Sequence, residues 1–362
     1  MTFQFPYKVK ALSFMYPIVF LGGGPLGLGS WLIGFKNDIG IRLRPTLMEF
    51  QVVMRRVRGD PLSLLGAVMV LFFMMVSLLA PLLAPPSRGV DPYICPYDGP
   101  TIGDLKIYPP PSPPSSEHPF GTLQGFDIYY GCIWGTRTTF RVGILVIFIA
   151  LAFGLFIGCT AGYLGGLVDE LLMRLADIFF AFPGILLAIV LVMALPSEWT
   201  INLGFIRFAV TLSQLDKLVL ALALVGWPSY ARVVRSEMLR VKQEDYVEAA
   251  KAVGCSGFRV LVQHILPNSM YPILTMAFLN FGKVVLFAAT LSFLGFGPET
   301  GYADWATIIS HARNWIVTTP QDPFRFSFTW ITPSMFIFAF ILGWSLLGDE
   351  LRDILDPTLR RI

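Results

Sequence analysis

A chain of 362 residues that is 55% hydrophobic and only 14% charged, with a mean hydropathy of +0.65, lies outside the range of water-soluble domains and belongs in a lipid bilayer. The net charge of +3 says little about partners, gives no reason to expect nucleic acid, and leaves the distribution of Lys and Arg as the informative quantity.

The first 60 residues read as an N-terminal cytoplasmic or interfacial segment (1–60). Residues 11–35 are apolar, but Gly22, Gly23, Gly24, Pro25, Gly27 and Gly29 break the middle, so an interfacial or re-entrant segment is expected rather than a further span. No small-residue cleavage site follows a short apolar core, which argues against a signal peptide. Gly22, Gly24 and Gly27 match G-x-G-x-x-G, yet neither the strand before nor the acidic residue after is present, so dinucleotide binding is not expected.

Uncharged runs at 62–84, 142–168, 178–195 and 326–348 are close to or above the roughly 20 helical residues that cross about 30 Å of hydrocarbon. Two weaker spans complete a set of six. The run 218–231 is short and must take in Asp216 and Lys217, or Arg232, with those side chains reaching toward water. The run 270–294 carries Lys283 near its middle. A central Lys costs roughly 2.5 to 3.5 kcal/mol, but each large apolar neighbour returns roughly 0.3 to 0.6, so insertion wins. Such a lysine is expected to face a translocation path or a partner chain rather than lipid.

The resulting organisation is a first transmembrane helix (61–86), an external loop (87–139), a five-helix core (140–350) containing a cytoplasmic loop (237–268), and a tail (351–362). With six spans and the N-terminus inside, eighteen Lys and Arg fall in the cytoplasm against eight outside, which favours both termini inside. The external loop is polar, rich in proline (Pro109, Pro110, Pro111, Pro113, Pro114) and reads as irregular. A second external segment carries an expected short helix at 302–316, with Trp305 and Trp315 suited to the membrane interface. Cys95 and Cys132 both fall in the external loop and are candidates for a disulfide, whereas Cys159 lies in a span and Cys255 in the cytoplasm.

Gly154, Gly158 and Gly162 recur every four residues, the pattern that lets a neighbouring helix approach closely. Pro183 and Pro228 should kink their helices. In the cytoplasmic loop, helix-favouring stretches at 243–253 and 257–265 are joined by Gly254, which can take the left-handed conformation that ends the first, and Pro267 is expected to stop the second. Small residues Ala249, Ala250 and Ala252 allow close approach of a partner, and Glu248 and Lys251 offer it charge.

No G-x-x-x-x-G-K-[ST] loop occurs, His118, His264 and His311 are scattered, and no His/Cys/carboxylate cluster has metal-ligand spacing. No nucleophile stands at recognisable spacing from a base, so an enzyme is not expected. An ion-coupled secondary transporter would place a carboxylate or His relay at mid-membrane and show inverted repeats, and neither is seen.

The loop sequence Glu248-Ala249-Ala250, then Gly254, then His264-Ile265-Leu266-Pro267-Asn268 resembles the EAA loop of binding-protein-dependent ABC importer permeases. The H-I-L-P-N variant is similar to that of the dipeptide/oligopeptide/nickel branch (C-type subunit), and the resemblance extends from Arg55 to Pro357. It includes Arg55 to Pro61, His118-Pro119-Phe120-Gly121-Thr122, Ala161 to Gly166, Asp177 to Pro183, Leu291 to Gly295 and Leu347 to Asp353. The stretch Leu123-Gln124-Gly125-Phe126-Asp127 departs from the family by lacking an Asp and an Arg; Phe287-Ala288-Ala289 stands where relatives often carry a carboxylate, and Lys283 instead supplies the only charge in that span.

The resemblance implies an all-α, six-span type I ABC importer permease bundle in the plasma (inner) membrane, with the coupling helix fitting a cleft in an ATPase. Tyr246, Glu248, Ala249, Ala250, Gly254 and Cys255 are the implied coupling residues. It further implies pairing with a second homologous permease, two ATPase subunits that bind ATP and Mg, and an external substrate-binding protein, with no cofactor in this chain. Peptides are the first expectation for cargo, with oligosaccharides or nickel complexes as the alternative.

Overall fold

The computed structural model describes residues 59–355 apart from 88, 90, 103–104, 203–206, 318–321 and 323, so the expectations for 1–58 and 356–362 lie outside the described residues. Nine helices are described: α1 (Pro61–Leu83), α2 (Ile128–Leu164), α3 (Gly166–Phe180), α4 (Gly184–Ala194), α5 (Gln214–Val241), α6 (Asp245–Ala252), α7 (Gly257–Phe296), α8 (Trp305–Val317) and α9 (Phe328–Leu355). Five of them are long and apolar enough to cross a membrane, and α3 with α4 makes a sixth crossing if that bent pair is one span. Six short strands form three antiparallel pairs: β1 (Thr101–Ile102) with β2 (Leu105–Lys106), β3 (Thr122–Leu123) with β4 (Phe126–Asp127), and β5 (Glu198–Asn202) with β6 (Arg207–Thr211).

The helices begin where the side chains dictate. Asp60 accepts from Ser63 N at 2.9 Å and caps α1, with Pro61 in the first turn where its missing N–H costs nothing. Ser213 and Asp216 form a reciprocal capping box at the start of α5, each side chain accepting from the other's backbone N–H at 3.1 Å. This cap starts α5 at Gln214 and the helix runs 28 residues through Pro228, much longer than the apolar run 218–231.

α2 corrects the reading of residues 87–139 as an irregular external loop. Asp127 accepts from Tyr129 N (2.8 Å) and Tyr130 N (3.4 Å), so the helix starts at Ile128, well before its apolar core. Residues 128–143 are almost all buried, sheathed by the segment before α2 and the one before α8. Trp134 Nε1 donates to the Ala84 carbonyl (2.9 Å), Tyr130 Oη to Pro92 (2.8 Å), Thr138 Oγ1 to Ala303 (2.7 Å) and Trp305 Nε1 to Cys132 (2.8 Å). Tyr93 stacks on Tyr302, and the backbone bonds Cys95 N to Gly301 O (2.8 Å) and Ala303 N to Tyr93 O (2.7 Å) stitch the two segments together. The result is a folded cap. Arg137 and Arg141 lie over the Trp134 and Tyr93 rings, which is how two cations fit on a helix continuous with a span.

Within the bundle, the glycine stripe of α2 meets α5. A Cβ on Gly158 would stand 2.6 Å from Val234 Cβ and one on Gly162 2.8 Å from Met238 Cβ, while Gly154 abuts Tyr230, so only glycine permits this approach. α1 lies on α9, and Phe73, Phe140, Phe281, Trp305, Phe340 and Trp344 fill the space between them and α7.

The run 178–195 is not one straight span. α3 and α4 meet at 95° across Ala181 to Pro183, because the proline removes a helical donor and excludes the residue before it from helical geometry. Nor does Pro267 stop a helix. α7 passes through it, with a wide turn at Leu261–Ile265 in which Leu266 N–H reaches back to the Leu261 carbonyl. Asn268 Nδ2 then donates to the His264 carbonyl at 2.6 Å beside the proline. The helix expected at 302–316 is present as α8, capped by Asp304, which accepts from Thr307 N (2.9 Å) and Oγ1 (2.7 Å).

Candidate functional site

At the end of the bundle opposite the cap, α5 runs out at Val241 and the chain turns through Lys242 to Glu244 into α6. α6 carries Asp245 and Glu248 in its first turn and Lys251 in its last, matching the helix dipole at both ends. Its termination is a Schellman motif: Gly254 N–H donates to Lys251 O (2.9 Å) and Cys255 N–H to Ala250 O (3.1 Å), with Gly254 at φ +90°. The apolar contact that accompanies this motif is made by Cys255 and Ala250, both half-buried in one cluster.

One residue fastens α6 to the bundle. Val247 is fully buried against Val234, Met238 and Val241 of α5 and Val260, Ile265 and Ile273 of α7, a burial worth roughly 1.5 to 3 kcal/mol. Tyr246 and Tyr163, at the end of α2, flank this cluster, and burial pushes the Tyr246 hydroxyl up. Lys242 Nζ donates to the Tyr163 carbonyl at 3.0 Å. Two ion pairs join the adjoining part of α5 to α3: Arg235 with Asp169, and Arg232 with Asp177 at 2.5 Å, the latter guanidinium also lying 4.1 Å from the Phe180 ring centre. α6 is therefore packed against a cluster shared by α2, α5 and α7.

The opposite side of the loop is open. Glu248, Ala249, Lys251 and Ala252 are exposed, and beside them stand Val253 (78% exposed) and Phe258 (75% exposed). The expected site residues thus divide: Glu248, Ala249 and Gly254 are exposed, while Tyr246, Ala250 and Cys255 are half-buried and position the others. Sequence reasoning missed Val247 as the anchor and Val253 and Phe258 as the apolar part of the open surface. The sequence offered only a weak signal, apolar Val253 and Phe258 on either side of Gly254, because other apolar residues such as Val247 and Val260 stand in the same loop. A surface of small residues, two apolar side chains and mixed charge suits protein docking. Among the described residues no group of His, Cys, Asp or Glu could hold a metal ion.

Cys95 and Cys132 correct the disulfide expectation. Both are buried free thiols packed as small apolar groups in the cap, beside Trp305 and Trp134. Burial and then the Asp127 charge push the Cys95 thiol up to about 12. Lys283 is exposed on α7, with no ion pair or hydrogen bond to it among the described residues.

A family model described as binding-protein-dependent transport system inner membrane component matches residues 154–361, which contain the whole α6 loop. A second, the N-terminal TM domain of oligopeptide transport permease C, matches residues 49–101. The dipeptide transport system permease protein DppC of Alkalihalophilus pseudofirmus is 33% identical over 84% of this chain and 89% of its own length. The glutathione transport system permease protein GsiD of Pectobacterium atrosepticum is 35% identical over 74% and 81% respectively. The DppC of Haemophilus influenzae is 31% identical over 87% and 96%. Among solved structures, an amino acid ABC transporter crystallised with histidines aligns at a TM-score of 0.41 and 18% identity, over 64% of this chain and 94% of that one. With a family model matched over more than half its length, a bundle of membrane-length helices and the E-A-A loop displayed at one end, the chain belongs to the inner-membrane components of binding-protein-dependent transport systems.

Proposed function

We propose that this chain is one of two permease subunits of an ATP-driven peptide importer, and that α6 is the element through which ATPase subunits act on it. The observation that carries the reading is the two-sided character of α6. One side is packed into the bundle through Val247, and the other leaves Ala249 and Ala252 exposed, with Val253 and Phe258 of the turn that follows exposed beside them. The peptide class is supported by the names of its relatives, permeases of dipeptide and glutathione systems.

In this reading the α6 end is cytoplasmic, as the excess of Lys and Arg there favours, and both termini lie on that side. The cap faces an external substrate-binding protein. Two ATPase subunits bind ATP and Mg²⁺, and this chain holds no cofactor and carries out no covalent chemistry. When ATP draws the ATPases together, each pulls on its α6. Because α6, α5 and the end of α2 share one packed cluster and the Lys242–Tyr163 bond, the pull moves α2 and α5 as a body. The Arg232 and Arg235 ion pairs carry the motion to α3, and the 95° bend before α4 is a place where it can be absorbed.

Uptake of labelled dipeptides into proteoliposomes holding both permeases and both ATPases, with the receptor protein outside, tests the reading. ATP-dependent accumulation supports it. Uptake driven by an ion gradient without ATP overturns it.

A further inference from the structure

Tyr163 touches the chain on both sides of α6. It is the penultimate residue of α2, half-buried, with its side chain packed against the cluster of Val247, Val260 and Ile265 that anchors α6. On the entry side its carbonyl accepts from Lys242 Nζ at 3.0 Å, just before α6 begins. On the exit side its phenol oxygen lies against Gly257, the residue that opens α7 after the Gly254 turn.

The exit contact is fitted to a residue without a side chain. A Cβ on Gly257 would overlap the Tyr163 hydroxyl, yet would stand 3.4 Å from Cζ, the ring carbon that bears it, and would meet no other residue within 4 Å. The conflict therefore lies with one oxygen atom. Gly257 is helical and not among the left-handed glycines, so its backbone makes no demand for glycine and the tyrosine does. Nor is the ring free to step aside. Its own backbone is bonded to Lys242, and the neighbouring Gly162 is pressed on Met238 of α5, where an added Cβ would stand 2.8 Å from Met238 Cβ. In close packing of this kind a displacement of the phenol passes to its neighbours.

We propose that Tyr163 is the positioning residue of the coupling loop: by touching both flanks of α6 it sets the angle at which α6 meets an ATPase, and it passes movement of α6 to α2. This rests on the reading of α6 as the ATPase contact. Tyr163 itself need not touch the ATPase. Its effect is on how much transport each ATP yields.

The test is a double-mutant cycle in proteoliposomes of the full complex, read as labelled dipeptide taken up per ATP hydrolysed, with ATPase retention and melting temperature measured on the same preparations. Gly257→Ala sets a methyl group against the hydroxyl and is expected to lower the ratio about threefold or more, a typical size for a change that alters coupling without touching a ligand. Tyr163→Phe removes the oxygen alone, and joined to Gly257→Ala it is expected to bring the ratio back to within about twofold of wild type. Tyr163→Leu keeps an apolar group on the cluster but cannot reach Gly257, and is expected to lower the ratio as Gly257→Ala does. A wild-type ratio in Gly257→Ala or Tyr163→Leu, or a double variant no better than Gly257→Ala, overturns the proposal. So does a deficit that follows lost ATPases or a lower melting temperature, which assigns the contact to assembly. Full ATPase retention and uptake by Ala249→Arg in the same assay overturns the α6 reading itself.

Discussion

Lys242, the residue that closes α5, donates its ammonium proton to the backbone carbonyl of Tyr163, the penultimate residue of α2, at 3.0 Å. The same ammonium lies 5.7 Å from the Tyr163 ring centre, so the two helices are clasped just where the loop to α6 departs. Lys242→Met should keep the stem packing and lose the bond, weakening the join by about 1 kcal/mol. The expected readout is faster hydrogen exchange in residues 242–256, with the rest of the bundle unchanged. Unchanged exchange there counts against the clasp.

The α2–α5 seam should be the least tolerant place in the bundle. Gly158→Val puts a branched side chain where the Ala231 carbonyl would stand only 2.6 Å from an added Cβ, and overpacking of this kind costs about 1 to 3 kcal/mol. The melting temperature of the detergent-purified complex should fall. Gly226→Ala is the control, because its added Cβ would make only an ordinary 3.5 Å contact with Ala150.

Gly254 isolates backbone conformation from packing. Its φ is +90° and nothing lies within 4 Å of an added Cβ, so bulk is free and only the left-handed backbone resists substitution. Gly254→Val should cost about 1 to 2 kcal/mol or more through that strain, Gly254→Asn less. Uptake should follow the order Gly, Asn, Val, with insertion and pairing unaffected. Equal uptake by all three removes the Schellman turn from the mechanism.

Asp304 gives the cap a pH signature. Burial holds its carboxyl above the usual carboxylate value of 3.8, against the lowering pull of Thr307 and Ser292. An acid raised on folding binds more protons folded than unfolded, so its stabilising contribution is present at low pH and lost as pH rises through the folded value. Asp304→Asn keeps a good helix cap and should flatten that slope, and Asp304→Ala should flatten it too while lying about 1 kcal/mol below Asp304→Asn for the lost cap. Thermal melts of the three proteins between acid and neutral pH decide it; an unchanged slope in Asp304→Asn contradicts the assignment.

The cap thiols should stay silent until unfolding. Cys95 is buried with its thiolate disfavoured, and Cys132 is fully enclosed, so a maleimide added to intact protein should label neither. Rapid labelling, or an intact mass two hydrogens short of the all-thiol form, contradicts the free and buried pair.

Five of the six expected crossings were legible in the sequence because hydrocarbon thickness sets a length that apolar runs must match, and the sixth falls on the bent α3–α4 pair. Where charge or proline interrupted a run, the reading failed for identifiable reasons. The uncharged run began only after Arg141, but the helix reaches back to Ile128 because the cap sheathes it and aromatic rings receive Arg137 and Arg141. Pro267 read as a stop, yet a wide turn ahead of it makes room for the ring. In the α6 loop Gly254 announced the turn, since only one backbone conformation explains it there. Val247 could not be told from Val253 without the fold: one is the anchor, the other exposed.

The most direct test of the central claim, that ATPases act through the open side of α6, is ATP-driven dipeptide uptake by the Ala249→Arg complex, measured with ATPase co-purification. Ala249 is exposed beside Val253, so the arginine should leave folding and permease pairing intact while blocking close approach of a partner. The account predicts a paired permease that no longer retains its ATPases and takes up no more cargo than the ATP-free control. Uptake at the wild-type rate, with the ATPases bound at wild-type strength, would contradict it.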